Sequence, residues 1–184
     1  MTTAVAASTP IREEERPAGL GDLLPRAGGL APDELQGFAA AIAARPERWS
    51  SLVQHDPERR HYALLHEDDD VTVWLICWSA GHDTGFHDHE HSNAGVAVAE
   101  GAIVDERLTA RGEPIVRRLD VGGGTTIEPA EIHRVHHPGG APAVSIHAYS
   151  PPLRRMGAYE IADDGRLLRH PQQGDDGLAP VRSR

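Results

Sequence analysis

Apolar and polar positions alternate over short runs through most of this chain, and only near the N-terminus do they recur at helical spacing. Pro32 suits a first helical turn, and Leu35, Phe38 and Ile42 follow at helical intervals until Pro46 stops the pattern. A second short helix is expected around Trp49, Leu52 and Val53, both helices serving to cover one end or face of a sheet. From residue 60 the rhythm becomes that of strands. Val71–Trp78 is β-branched and aromatic and ends at Gly81, and Phe86–His89 follows. Gly95–Glu100 and Ile103–Leu108 flank a Glu100-Gly101 turn. Ile115–Leu119, Thr125–Ile127, Ile132–His136, Ala143–Tyr149 and Ala158–Ile161 continue the series, and Arg166–Arg169 closes it. Many short strands at near-regular spacing predict an all-β sandwich, barrel or jelly roll with a few N-terminal helices.

Composition narrows this further. The 184 residues suit one well-buried domain, expected over 18–170, with residues 1–17 disordered and 171–184 a loose tail. The 19 glycines and 14 prolines fall between the apolar runs, as turn punctuation should. A formal charge of -10 argues against a nucleic-acid partner. The lone cysteine, Cys77, cannot form an intrachain disulfide, which points to a reducing, cytoplasmic setting. No basic region followed by an apolar stretch marks a secretory signal, and Val71–Trp78 is too short to cross a bilayer. A monomer or small homo-oligomer is expected, with no membrane partner.

Of twelve histidines, eight lie between His82 and His147. His87-Asp88-His89 places two imidazoles on one face of a strand, because strand side chains alternate with period 2. A third, His133, can close a triangular face of a metal ion and leave the opposite face open, as a catalytic site requires. His55, His61, His66, His82 and His170 are expected at the surface, and His136 and His137 at the rim or behind the ligands. The Gly122–Gly124 run lacks the strand-to-helix setting of a phosphate loop and reads as a turn.

Two spaced elements carry a resemblance. The first is Gly81, five residues, His87-x-His89, eleven residues, Gly101; the second is Gly123, five residues, Pro129, three residues, His133. Together they resemble the paired motifs of the cupin superfamily, which implies a double-stranded β-helix holding a metal inside the barrel. Where that motif usually has a glutamate ligand this chain has Ala94. What remains is a neutral three-histidine face, whereas most non-haem iron oxygenases use two histidines and a carboxylate.

His87-Asp88-His89 with Ser92, His133-Arg134-Val135 and the block Ala143–Pro152 then resemble the cysteine dioxygenase family. The Ser145-x-His147-x-Tyr149-Ser150-Pro151-Pro152 run is the most specific part. The resemblance covers roughly residues 60–160 and implies Fe(II) held by His87, His89 and His133, with a small thiol and O2 as substrates and a sulfinate as product. It also implies that Ser145, His147 and Tyr149 form a hydrogen-bonded relay beside the iron. Tyr149 should carry no thioether cross-link, since Ala94 stands where the animal enzymes have cysteine and Cys77 lies on another strand. The chemistry agrees with the ligands. Three neutral imidazoles leave the site its full 2+ charge, favouring a thiolate, and the sulfur supplies every electron, so no reductant is needed.

Alternatives stay open at this point. A non-oxidative metal-binding cupin that senses or carries a ligand would show the same triad, as would a three-histidine zinc hydrolase or lyase. The substrate is open too. In the stretch Arg59–His66, Tyr62 falls where cysteine-specific members carry arginine, with Arg60 two residues earlier on the same face. Tyrosine cannot make the bidentate pair that arginine makes with a carboxylate. Candidates are therefore cysteine, 3-mercaptopropionate, cysteamine, or a bulkier thiol such as ergothioneine whose cationic amine could stack on the ring. Arg154 and Arg155 are expected as surface charges.

Overall fold

In the computed structural model, which describes residues 19–24, 29–110 and 112–173, one α-helix and eleven strands are seen. α1 (Pro32–Ala43) has Pro32 in its first turn, and the Glu34 carboxylate accepts from the Ala31 backbone N–H at 2.8 Å, satisfying a donor that the helix start leaves free. Leu35, Phe38, Ala39 and Ile42 form its buried stripe. The second expected helix is two 3-10 turns, Pro46–Arg48 and Ser50–Leu52. There the buried Trp49 indole donates to the Ile42 carbonyl at 3.1 Å and pins the turns to the helix end.

The strands are β1 (His61–Glu67), β2 (Thr72–Trp78), β3 (His87–Asp88), β4 (Asn93–Glu100), β5 (Ala102–Arg107), β6 (Ile115–Asp120), β7 (Gly124–Ile127), β8 (His133–His136), β9 (Ala143–Ser150), β10 (Arg155–Ile161) and β11 (Leu167–Gln173). They form two antiparallel sheets, ordered β1-β2-β9-β4-β7 and β11-β10-β3-β8-β5-β6. The fold is the expected all-β jelly roll. β11 runs through Pro171 to Gln173, so the sheet extends past the boundary expected for the tail. Residues 1–17 and 174–184, expected as loose ends, lie outside the described residues. No described helix is long and apolar enough to cross a membrane.

Two apolar clusters divide the molecule. One lies between α1 and the outer face of the five-stranded sheet, where Val73, Leu75, Cys77, Ala97, Val144, Ile146 and Ala148 meet the helix stripe. The helix comes so close that a Cβ on Gly95 would overlap the backbone of Leu35 and Gln36, so only glycine fits there. The other cluster fills the space between the sheets, with Ile76, Trp78, Ala94 and Val96 facing Ile103, Val135 and Met156. Its two layers hold the polar site described next.

Candidate metal centre and the strand beside it

β3 is only two residues long, and its His87 pairs directly with His133 of β8. His89 follows just after the strand. All three rings are buried, and one nitrogen from each lies within 4.8 Å of the others. His87 Nδ1 lies 3.1 Å from the Gly85 carbonyl and His133 Nδ1 lies 2.9 Å from Asp105 Oδ1. A carbonyl and a carboxylate only accept, so both rings carry their proton on Nδ1 and present the Nε2 lone pair to the interior. His89 Nε2 lies 3.3 Å from His133 Nε2. Two nitrogens bound to one ion at about 2.0–2.1 Å stand about 3.0–3.4 Å apart, so this spacing suits a shared cation. Burial, and then the neighbouring imidazoles, hold His87 and His89 well below the usual histidine range, so both are neutral and ready to ligate.

Asp88, between the two ligands, points the other way. Its carboxylate accepts from Tyr159 Oη at 2.6 Å, from Arg169 Nε and Nη2 at 2.6 and 2.9 Å, and from the Glu90 N–H at 2.9 Å. Burial opposes ionisation, but these donors, Arg169 first, bring its pKa down to about 2. The short β3 is thereby held from outside by β10 and β11. Glu90, the turn residue after His89, takes a left-handed conformation (φ 54°) that a non-glycine residue seldom adopts.

Ser145, His147 and Tyr149 all face inward from β9. Trp78 Nε1–H donates to Ser145 Oγ at 2.8 Å, Ser145 Oγ lies 2.7 Å from His147 Nε2, and the Tyr149 hydroxyl lies 3.4 Å from His147 Nδ1. The Tyr149 ring stands edge-on to His89, centroids 5.0 Å apart, which joins this row to the triad. Burial, then the His133 and Arg60 fields, lowers His147 to about 3, and burial raises the Tyr149 hydroxyl. Both are neutral at pH 7. Ala94 sits directly across from Tyr149 in the β4–β9 ladder, while Cys77 belongs to the opposite face of the sheet.

Arg60 and Tyr62 differ in what they reach. The Arg60 side chain is buried, lies 5.2 Å over the Trp78 ring and donates to the Asp83 carbonyl at 3.1 Å. Burial lowers its pKa to about 10, opposed by Tyr149, Tyr62 and Asp83, so it stays a cation at neutral pH. Tyr62 is half-buried and packs edge-on against Trp74, centroids 5.7 Å apart.

Other expectations fare unevenly. His82, expected at the surface, is buried, its Nδ1 accepting from the Ser79 N–H at 3.0 Å. The short Ser79–His82 turn tucks the ring inward, which no local pattern announces. His61 and His66 are half-buried, His55 and His170 exposed. His137 is buried but closes its own turn, accepting from Gly139 N–H and donating to the Ala141 carbonyl. Arg154 is exposed and pairs with Glu67 at 2.5 Å, and Arg155 is exposed. Asp105, Arg107 and Trp78 were not among the expected site residues. Their signal is parity: Asp105 and Arg107 share the inward face of β5 with Ile103, and Trp78 shares that of β2 with Ile76.

Comparison with known proteins agrees with this geometry. The family model described as cysteine dioxygenase type I matches residues 18–162. Cysteine dioxygenase type 1 of Danio rerio is 22% identical over 139 residues, covering 70% of this chain and 69% of that protein. The Homo sapiens protein of that name is 23% identical over 140 residues with the same coverage. Among solved structures, a Klebsiella pneumoniae protein with a double-stranded β-helix domain aligns with a TM-score of 0.50 and 19% identity. It covers 55% of this chain and 80% of that one, and supports the fold.

Proposed function

We propose that this chain, which belongs to the cysteine dioxygenase family, is an Fe(II)-dependent oxidoreductase that adds both atoms of O2 to the sulfur of a small thiol: R–SH + O2 → R–SO2H. The observation that carries this reading is the convergence of His87, His89 and His133, with no carboxylate ligand, beside the buried Ser145/His147/Tyr149 row. The donors fit a divalent ion: three neutral imidazoles, two with the Nε2 lone pair set by a hydrogen bond at Nδ1. Bound there, iron would favour the thiolate form of the substrate and offer it and O2 adjacent open positions.

The chain's own groups account for binding and proton handling. Arg60 is the buried cation nearest Tyr149 and would pair with a carboxylate on the substrate. That shifts the expectation based on Tyr62 towards thiols that carry a carboxylate, cysteine or 3-mercaptopropionate, and away from cysteamine and ergothioneine. Tyr62 would bound the same pocket through its packing on Trp74. Along β9 the polarity runs one way. Trp78 can only donate, so Ser145 accepts from it and turns its own proton to His147 Nε2. His147 then carries its proton on Nδ1, facing the Tyr149 oxygen, and the Tyr149 O–H is left to point at substrate. The row orients one phenolic proton and keeps it neutral. Ile76, Ile103, Val135 and Met156 around it exclude water.

A panel of cysteine, 3-mercaptopropionate, cysteamine and ergothioneine, tested for O2 uptake by iron-loaded protein with the product read by mass, checks this directly. Thiol-dependent uptake without added reductant, giving the thiol plus two oxygens, is expected. Zinc as the resident metal and no uptake on any thiol would defeat the proposal. His133→Ala should remove both metal and activity. Arg60→Gln should lower kcat/KM about 10- to 100-fold for the carboxylate thiols while sparing cysteamine.

A further inference from the structure

The three imidazoles are held unequally. His87 has a carbonyl behind it, His89 Nδ1 is buried with no hydrogen-bond partner, and His133 alone has a carboxylate. That carboxylate, Asp105, is fully buried, and it reaches His133 from β5 across 28 residues of sequence. It does not stand there for stability of its own: a buried charge is costly unless paired and hydrogen-bonded. The molecule supplies the partners. Arg107 Nε donates to Asp105 Oδ2 at 2.8 Å, the Thr125 hydroxyl lies 3.4 Å from the same oxygen, and Arg107 also binds both Glu131 oxygens at 2.9 and 3.1 Å and the Thr126 carbonyl at 2.5 Å. Oδ2 faces this cage, and Oδ1 is left to a single donor, His133.

We propose that Asp105 is a positioning residue for the metal: it locks the His133 ring with Nε2 inward and, through its charge, makes His133 the strongest of the three ligands. The neutral triad thus regains, one bond removed, part of the anionic character that Ala94 cannot give it. A carboxylate behind a ligating imidazole fixes its tautomer and raises its basicity, and removing such a partner lowers metal affinity by about 10- to 100-fold. Arg107 is the counterweight that lets the carboxylate stay ionised in the interior, with Glu131 and Thr125 fixing its fork.

This rests on the triad being a metal site, not on the identity of the thiol, so it is tested without turnover. The full chain, wild type and Asp105→Asn, is stripped of metal and titrated anaerobically with Fe(II), and the Fe(III)/Fe(II) midpoint potential is then measured. Asn keeps the shape and loses the charge. The expected result is an Fe(II) dissociation constant raised about 10- to 100-fold and a higher potential, since ferric iron loses more from the missing negative charge. Asp105→Glu should recover part of both. Unchanged affinity and potential in Asp105→Asn would overturn the proposal. If that variant does not fold, wild-type protein loaded with diamagnetic Zn(II) decides. Its His133 Nδ1–H should appear as a downfield, slowly exchanging proton, and a rapidly exchanging one would overturn the proposal. Iron binding that follows these expectations, with no oxidation of any thiol, would defeat the proposed function and leave the role of Asp105 standing.

Discussion

The two faces of β9 are equally buried and chemically opposite. Val144, Ile146 and Ala148 lie under α1 in a wholly apolar layer, while Ser145, His147 and Tyr149, on the same eight-residue strand, face the metal triad. On the outer face burial removes hydrocarbon from water, and its value scales with area. On the inner face burial works against each polar group, which persists only because Trp78, Ser145, His147 and Tyr149 satisfy one another in sequence. Burial therefore does not say what a residue contributes; the partner it is buried against does.

Substitutions on the two faces should separate accordingly. Tyr149→Phe removes only the long contact to His147. It should lower thiol-dependent O2 uptake by about 10²- to 10⁴-fold while the unfolding free energy in urea changes by less than about 1 kcal/mol. Parallel losses in both would mean the inner face is structural. Ile146→Ala should do the reverse, costing about 2–5 kcal/mol in urea unfolding with iron content per folded chain unchanged; metal loss at constant stability would erase the distinction. Ser145→Ala falls between them. It leaves the Trp78 indole N–H buried without an acceptor, so a destabilisation of about 1–3 kcal/mol should accompany reduced turnover. The smallest effect concerns Cys77, on the outer face. Burial pushes its thiol up to about 11, so at pH 8 almost no thiolate is present. Native protein should resist iodoacetamide at pH 8 and react on unfolding, and prompt native alkylation would show that α1 does not seal that layer.

Much of this was legible from spacing. The α1 stripe, most strand positions and the inward parity of residues 145, 147 and 149 follow from periods of 3.6 and 2. The triad came from ligand spacing and resemblance. Less visible was how little strand supports it: β3 has two residues, and Asp88, Tyr159 and Arg169 hold it from outside. Asp105 gave no signal because a charged residue in a short strand usually faces water. His82 looked exposed for the same reason, since polarity is a local property and burial is not.

The order of apolar and polar residues was enough to determine an all-β barrel with a helix on one face, and the histidines and the β9 block were enough to indicate a metal centre of the cysteine dioxygenase kind. Only the folded chain decided which charges that centre keeps. Arg60 and Asp105 lie 45 residues apart in sequence, and each is buried for a different purpose, one facing substrate and one behind His133. Periodicity assigns a face to each residue. It carries no information about which distant group stands opposite, and for a buried charge that group settles both its energy and its use.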